Sequence, residues 1–114
     1  MAVITIWHNP RCSKSRQTLA LLEGRGDVTV RNYLEDTPSA DEIRAARDLL
    51  GLSAIAMMRP KEPAFKELGL SKDDDDESLI AAMVEAPKLI ERPIVFANGK
   101  AALGRPPEQV LEIL

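Results

Sequence analysis

One cysteine, one histidine, one tryptophan, one tyrosine and two phenylalanines are all that this 114-residue chain holds of those types. A single thiol cannot close an internal disulfide, so a cross-linked scaffold is excluded and the cytoplasm is the expected location. One cysteine and one histidine are too few ligands for a zinc site, so no metal is expected. No apolar run approaches the ~20 residues that span a bilayer. No basic start leads into an apolar segment either, so neither a membrane span nor a leader is expected. Basic residues are not in excess: the net charge is −3. Nothing therefore draws the chain as a whole to nucleic acid or anionic lipid, and any anion site has to be a local cluster. The length suits one domain over residues 1–114, expected as a monomer, and 45% hydrophobic with 29% charged residues suits a globular core.

What is present falls into three stretches. Val3-Ile4-Thr5-Ile6-Trp7 is β-branched and apolar and predicts a buried central strand, broken at Asn9-Pro10. A helix is predicted from Ser13 to about Glu23, with Leu19 and Leu22 on one face and Gly24 or Gly26 as its stop; a strand follows over 28–33. This β-α-β order implies two parallel strands. The middle, about 38–87, reads as a helical insertion. Ser39 and Glu42 form a capping-box pattern ahead of Ile43, Ala46, Leu49 and Leu50, with Gly51 at the end. Ser53 is placed to cap a short helix through Met58, and another turn or two runs from Ala64 to Leu68.

The acidic run Asp73 to Glu77 lacks the glycine and spaced ligands of a calcium loop. It suits the N-terminus of a helix, where the dipole favours carboxylates; that helix carries Leu79, Ile80, Met83 and Val84 inward. Pro93 to Ala97, then Asn98-Gly99, then Lys100 to Leu103 is a hairpin signal. Pro106 and Pro107 open a last helix with Val110, Leu111 and Leu114 on its apolar side. The fold class is α/β: a β-α-β unit, helices, then β-β-α.

Chemistry concentrates at Cys12. It stands where a strand ends and a helix begins, flanked by Pro10, Arg11, Ser13, Lys14 and Arg16, which is not the setting of a core cysteine. Unpaired N–H groups at a helix start, together with nearby cations, favour a thiolate. The motif is Cys-x-x-Ser, so no second thiol resolves an adduct and an external thiol must. His8 either assists that thiolate or packs at the strand end as a hydrogen-bonded ring. Arg59, Arg92 and Arg105 each precede a proline, which holds the preceding backbone extended. Together they would make an oxyanion pocket, since guanidinium grips two oxygens at once; they read equally as independent surface arginines.

The segment from His8 to Arg16, with Arg59, Glu91-Arg92-Pro93-Ile94-Val95 and Gly104-Arg105-Pro106, resembles the glutaredoxin-coupled arsenate reductase (ArsC-like) family over essentially the whole chain. The form Arg11-Cys12-Ser13-Lys14-Ser15 departs from the more usual Cys-Gly-Thr-Ser and is similar to an arsenate-reductase-related branch. The resemblance implies a thioredoxin/glutaredoxin-like sheet with a helical insertion and a cis Arg92–Pro93 bond. It also implies a thiol-dependent oxidoreductase that reduces arsenate or a related small oxyanion or oxidant, with Cys12 as nucleophile, Arg59, Arg92 and Arg105 as oxyanion holders, and His8 and Ser15 as supports of the thiolate. No tightly bound cofactor is implied; glutathione is the co-substrate and glutaredoxin the partner that clears the mixed disulfide. The alternative on the same fold is a non-catalytic or RNA-polymerase-binding redox regulator, for which Ser15 stands where a second cysteine would switch.

Overall fold

A computed structural model describes residues 3–114 of the chain. By its internal contacts the chain divides into two units, residues 1–36 with 92–114, and residues 37–91.

In the first unit, β1 (Val3–His8) leads through a turn into α1 (Ser13–Leu22) and then β2 (Asp27–Asn32). After the second unit, β3 (Ile94–Ala97), β4 (Lys100–Leu103) and a terminal 3-10 helix (Pro107–Ile113) complete it. The sheet order is β2-β1-β3-β4, with β1 parallel to β2 and antiparallel to β3. The apolar first strand is thus central, as its composition requires: an edge strand so rich in branched apolar residues would expose them. Alternation along β1 sends Ile4 and Ile6 to one face, where they pack with Leu22, Val95, Ala97 and Val110. On the other face Trp7 stacks at a tilt on Phe96, ring centroids 5.0 Å apart, and the Arg31 guanidinium lies 5.8 Å from the Trp7 ring.

The β3–β4 turn has the left-handed backbone that Asn-Gly permits, with φ of 55° at Asn98 and 72° at Gly99. Asn98 also ties the turn to the chain end, its Nδ2 donating to the Ile113 carbonyl at 2.8 Å. The last helix is 3-10, where an α-helix was expected. Pro107, Val110 and Ile113 are spaced by three, and three residues per turn stacks them in one row. Pro107 and Val110 are buried and Ile113 packs against the core, whereas an α-helix would rotate the third away.

The second unit holds α2 (Ala40–Leu50), a 3-10 turn (Ile55–Met57), α3 (Pro63–Glu67), α4 (Asp76–Glu85) and a 3-10 turn (Pro87–Leu89). The capping box at α2 is complete: Ser39 Oγ accepts from the Glu42 N–H at 3.2 Å, and Glu42 Oε1 accepts from the Ser39 N–H at 3.0 Å. Ile43 and Ala46 are buried, but Leu49 stays 47% exposed. The segment after Ser53 is a single 3-10 turn, which Ser53 enters through its carbonyl rather than its side chain.

The acidic run serves α4. Asp74 accepts from the Ser71 N–H, Asp75 caps the helix by accepting from the Ser78 N–H at 3.1 Å, and Asp76 and Glu77 fill the first turn. Asp76 and Glu77 also bind Arg47 and Arg44 of α2. Leu79, Ile80, Ala82 and Met83 turn inward, with Val84 only partly covered. An antiparallel bridge between Met58 and Ile90 ties the middle of the unit to its C-terminal end. Among the described residues no helix is long and apolar enough to cross a membrane.

Candidate active site

Cys12 is the N-cap of α1. Its N–H donates to the Asn9 carbonyl at 3.0 Å, closing the turn after β1, and its carbonyl accepts from the Arg16 N–H at 3.0 Å. The first N–H groups of a helix lack partners within it. At this helix no serine or aspartate stands at the cap to take them; a thiol does. Neither amide makes a full cap hydrogen bond to Sγ, yet the N–H groups of Ser15 and Lys14 face it and favour its anion.

Partial burial opposes ionisation of Cys12. The Ser15 N–H, then the Arg92 guanidinium, then the Lys14 N–H outweigh that burial, and the thiol is held below its ordinary value. We therefore expect Cys12 alkylation by iodoacetamide to rise through a midpoint below ~8.5 as the thiolate forms with increasing pH. Arg92→Ala moves that midpoint upward, because burial then faces only the two amides. A midpoint at or above ~8.5 in the unmodified protein would remove the activated thiolate. An unmoved midpoint in Arg92→Ala would remove Arg92 from it.

Ser15 is fully buried in the first turn of α1, and its hydroxyl is engaged by His8 and Asn9. Ser15 Oγ accepts from the Asn9 N–H at 3.0 Å and lies 2.6 Å from His8 Nδ1. Burial, and then the positive charge of Arg16, push the His8 pKa below its ordinary value, so the ring is neutral near pH 7. A serine oxygen has two lone pairs, so the neutral ring pairs with Oγ in either tautomer, as acceptor of the hydroxyl proton or as Nδ1–H donor. Ser15 thus reaches the thiol with its backbone, while its side chain ties β1 and the turn to α1.

Arg92 enters the site from 80 residues away in the sequence. It directly precedes Pro93, and the Arg92–Pro93 peptide bond is cis, as is Arg105–Pro106. Pro93 is buried, and its carbonyl accepts from the Gly104 N–H at 2.9 Å. Gly104 in turn sits against α1: a Cβ there would lie 2.6 Å from Pro93 Cγ and 2.6 Å from Thr18 Oγ1. Thr18 is itself held, its hydroxyl donating to the Lys14 carbonyl at 2.8 Å. Gly104 and Thr18, for which sequence reasoning gave no physical role, therefore set how closely the Arg92–Pro93 segment approaches the helix that Cys12 caps. Glycine in a chain is a weak signal, and only the contact reveals this one.

The first unit thus brings together Cys12, Arg92, Ser15 and His8. Arg105 belongs to the same unit, exposed between β4 and the terminal helix. Arg59 belongs to the second unit, where its N–H donates to the Leu89 carbonyl at 2.8 Å and its Nη1 pairs with Glu62 at 3.0 Å. A thiolate in a basic, amide-lined turn can attack an electrophilic centre in an oxyanion and stabilise the charge that develops.

Comparison with known proteins gives one consistent answer. The model of the ArsC family matches residues 7–113. An arsenate reductase of Neisseria meningitidis is 50% identical, with both chains covered in full. An uncharacterised Escherichia coli protein, YfgD, is 54% identical over 97% of this chain and 96% of its own. Among solved structures, an arsenate reductase from Vibrio cholerae superposes with a TM-score of 0.93 at 56% identity, covering 99% of this chain and 98% of its own.

Proposed function

Since the chain belongs to the ArsC family, we propose that it is an arsenate reductase working through the Cys12 thiolate. The observation that carries the reading is the N-capping cysteine, whose thiol is lowered by the Ser15 and Lys14 amides and by Arg92. The arsenate reductases that match along the whole chain supply the substrate.

The Cys12 thiolate attacks arsenic(V), an As–O bond breaks, and water leaves once that oxygen is protonated, giving a Cys12–S–As(V) adduct. Arg92 holds the oxyanion and the adduct, its guanidinium matching a pair of oxygens, and the family resemblance gives Arg59 and Arg105 the same role. His8 and Ser15 support the thiolate by fixing the turn from which it projects. Glutathione thiolate then attacks Cys12 Sγ. The electron pair of the S–As bond stays on arsenic, which leaves as arsenite, and the two sulfurs are joined in a mixed disulfide. Two electrons have passed from two thiols to arsenic.

Glutaredoxin clears the mixed disulfide, a step this chain cannot perform with one thiol. No tightly bound cofactor enters the cycle, which suits a monomer acting in the cytoplasm. The test is arsenate-dependent NADPH consumption in the presence of glutathione, glutaredoxin and glutathione reductase. Turnover that saturates with arsenate is the expected result. No turnover, under conditions where a relative of known activity works, would overturn the reading.

A further inference from the structure

Directly beside the turn that carries Cys12 lies a cavity of about 330 Å³, lined by Asn9, Pro10, Arg11, Asn32, Leu34 and Glu35. Its size falls at the small end of the ~300–1,000 Å³ usual for small-molecule sites. One wall is the three residues before Cys12 and the other is the loop leaving β2, so it lies wholly within the first unit. We propose that this cavity seats the thiol co-substrate, a small zwitterionic peptide thiol of the glutathione type. The proposal rests on the reading that an external thiol regenerates Cys12.

The lining argues for such a ligand. Arg11 and Glu35 bring opposite charges to one cavity, yet neither side chain makes an ion pair or hydrogen bond among the described residues. A ligand with a carboxylate and an ammonium group satisfies both; one with a single sign of charge satisfies one and leaves the other. Asn9 and Asn32 add directed donors. Asn9 Oδ1 accepts from the Arg11 N–H at 3.0 Å, and Asn32 Oδ1 accepts from the Leu34 N–H at 3.3 Å. These bonds orient both amides and leave each Nδ2 without a protein partner among the described residues, ready to donate to peptide carbonyls or carboxylates. Pro10 and Leu34 offer apolar surface for a methylene stem. Arg11 adjoins Cys12 in the chain, so a peptide anchored on its guanidinium carries its thiol to the side of the adduct.

The test separates binding from turnover. S-Methylglutathione keeps both charges and the peptide groups but cannot react, so it is titrated into the full chain by heteronuclear NMR. The expected result is a saturable shift of the Asn9, Arg11, Asn32, Leu34 and Glu35 amides at millimolar concentration, weakened about fivefold by Glu35→Gln and by Arg11→Ala. In the arsenate assay the same variants should raise the KM for glutathione, with no matching rise when 2-mercaptoethanol, which lacks both charges, is the thiol. No shift at these amides, shifts confined to other residues, or binding indifferent to both substitutions would overturn the proposal. Because the titration needs no arsenate, a chain that binds S-methylglutathione here but never reduces arsenate leaves this site standing and removes the proposed activity. Reduction of arsenate without binding here does the reverse.

Discussion

Cys12→Ser should leave the protein folded and bring arsenate reduction down by roughly 10³-fold or more, the scale on which loss of a covalent nucleophile acts. The two halves of that expectation have separate physical causes. At the N-cap of α1 the side chain faces the Ser15 and Lys14 N–H groups, and serine is among the residues best suited to accept from them. Stability in denaturant should therefore hold or rise slightly. The hydroxyl, however, stays protonated where the thiol ionises, and oxygen cannot form the sulfur–sulfur bond that releases arsenite. The measurement pairs a denaturant midpoint with the coupled NADPH assay. Turnover retained by a folded Cys12→Ser protein would take the nucleophile's role away from Cys12.

Gly104→Ala should be the most damaging single methyl in the first unit. Its Cβ would meet Pro93 Cγ and Thr18 Oγ1 at 2.6 Å and Pro93 Cδ at 2.9 Å, well inside contact distance. None of these neighbours gives way easily. Pro93 is a ring held by the bond from Gly104, and Thr18 is a branched side chain held to Lys14. Overpacking of this kind costs about 1–3 kcal/mol, seen as a lower denaturant midpoint with an unchanged slope. Pro93, which must move, directly follows Arg92, so the Cys12 alkylation midpoint should rise as well. A variant as stable as the parent would show that the gap between β4 and α1 opens freely.

The readings that held are those in which neighbours along the chain decide the outcome. Asn98-Gly99 makes its turn because two residues can both take positive φ. Ser39 and Glu42 close their box because the groups that satisfy each other are three residues apart. Asp75, Asp76 and Glu77 gather at the start of α4 because carboxylates and unpaired N–H groups attract locally, while Asp74 closes the turn before it on the Ser71 N–H. Cys12 was legible for the same reason, as a thiol at a helix start among cations. The last helix was misread because its 3-10 winding answers to the row of residues packed on the sheet, not to its own propensity.

By itself, then, the sequence determined the order of strands and helices along the chain and the place of the thiol, both consequences of short-range hydrogen bonding. Only the tertiary structure decided which charge reaches that thiol. Arg92 comes to Cys12 because β3 lies beside β1 and because Gly104 has no side chain to hold the strand and α1 apart. It likewise decided that the Ser15 hydroxyl serves His8, and that Arg11 and Glu35 face one cavity. These are juxtapositions of surfaces distant in the chain, set by how side chains fill space once the core has closed.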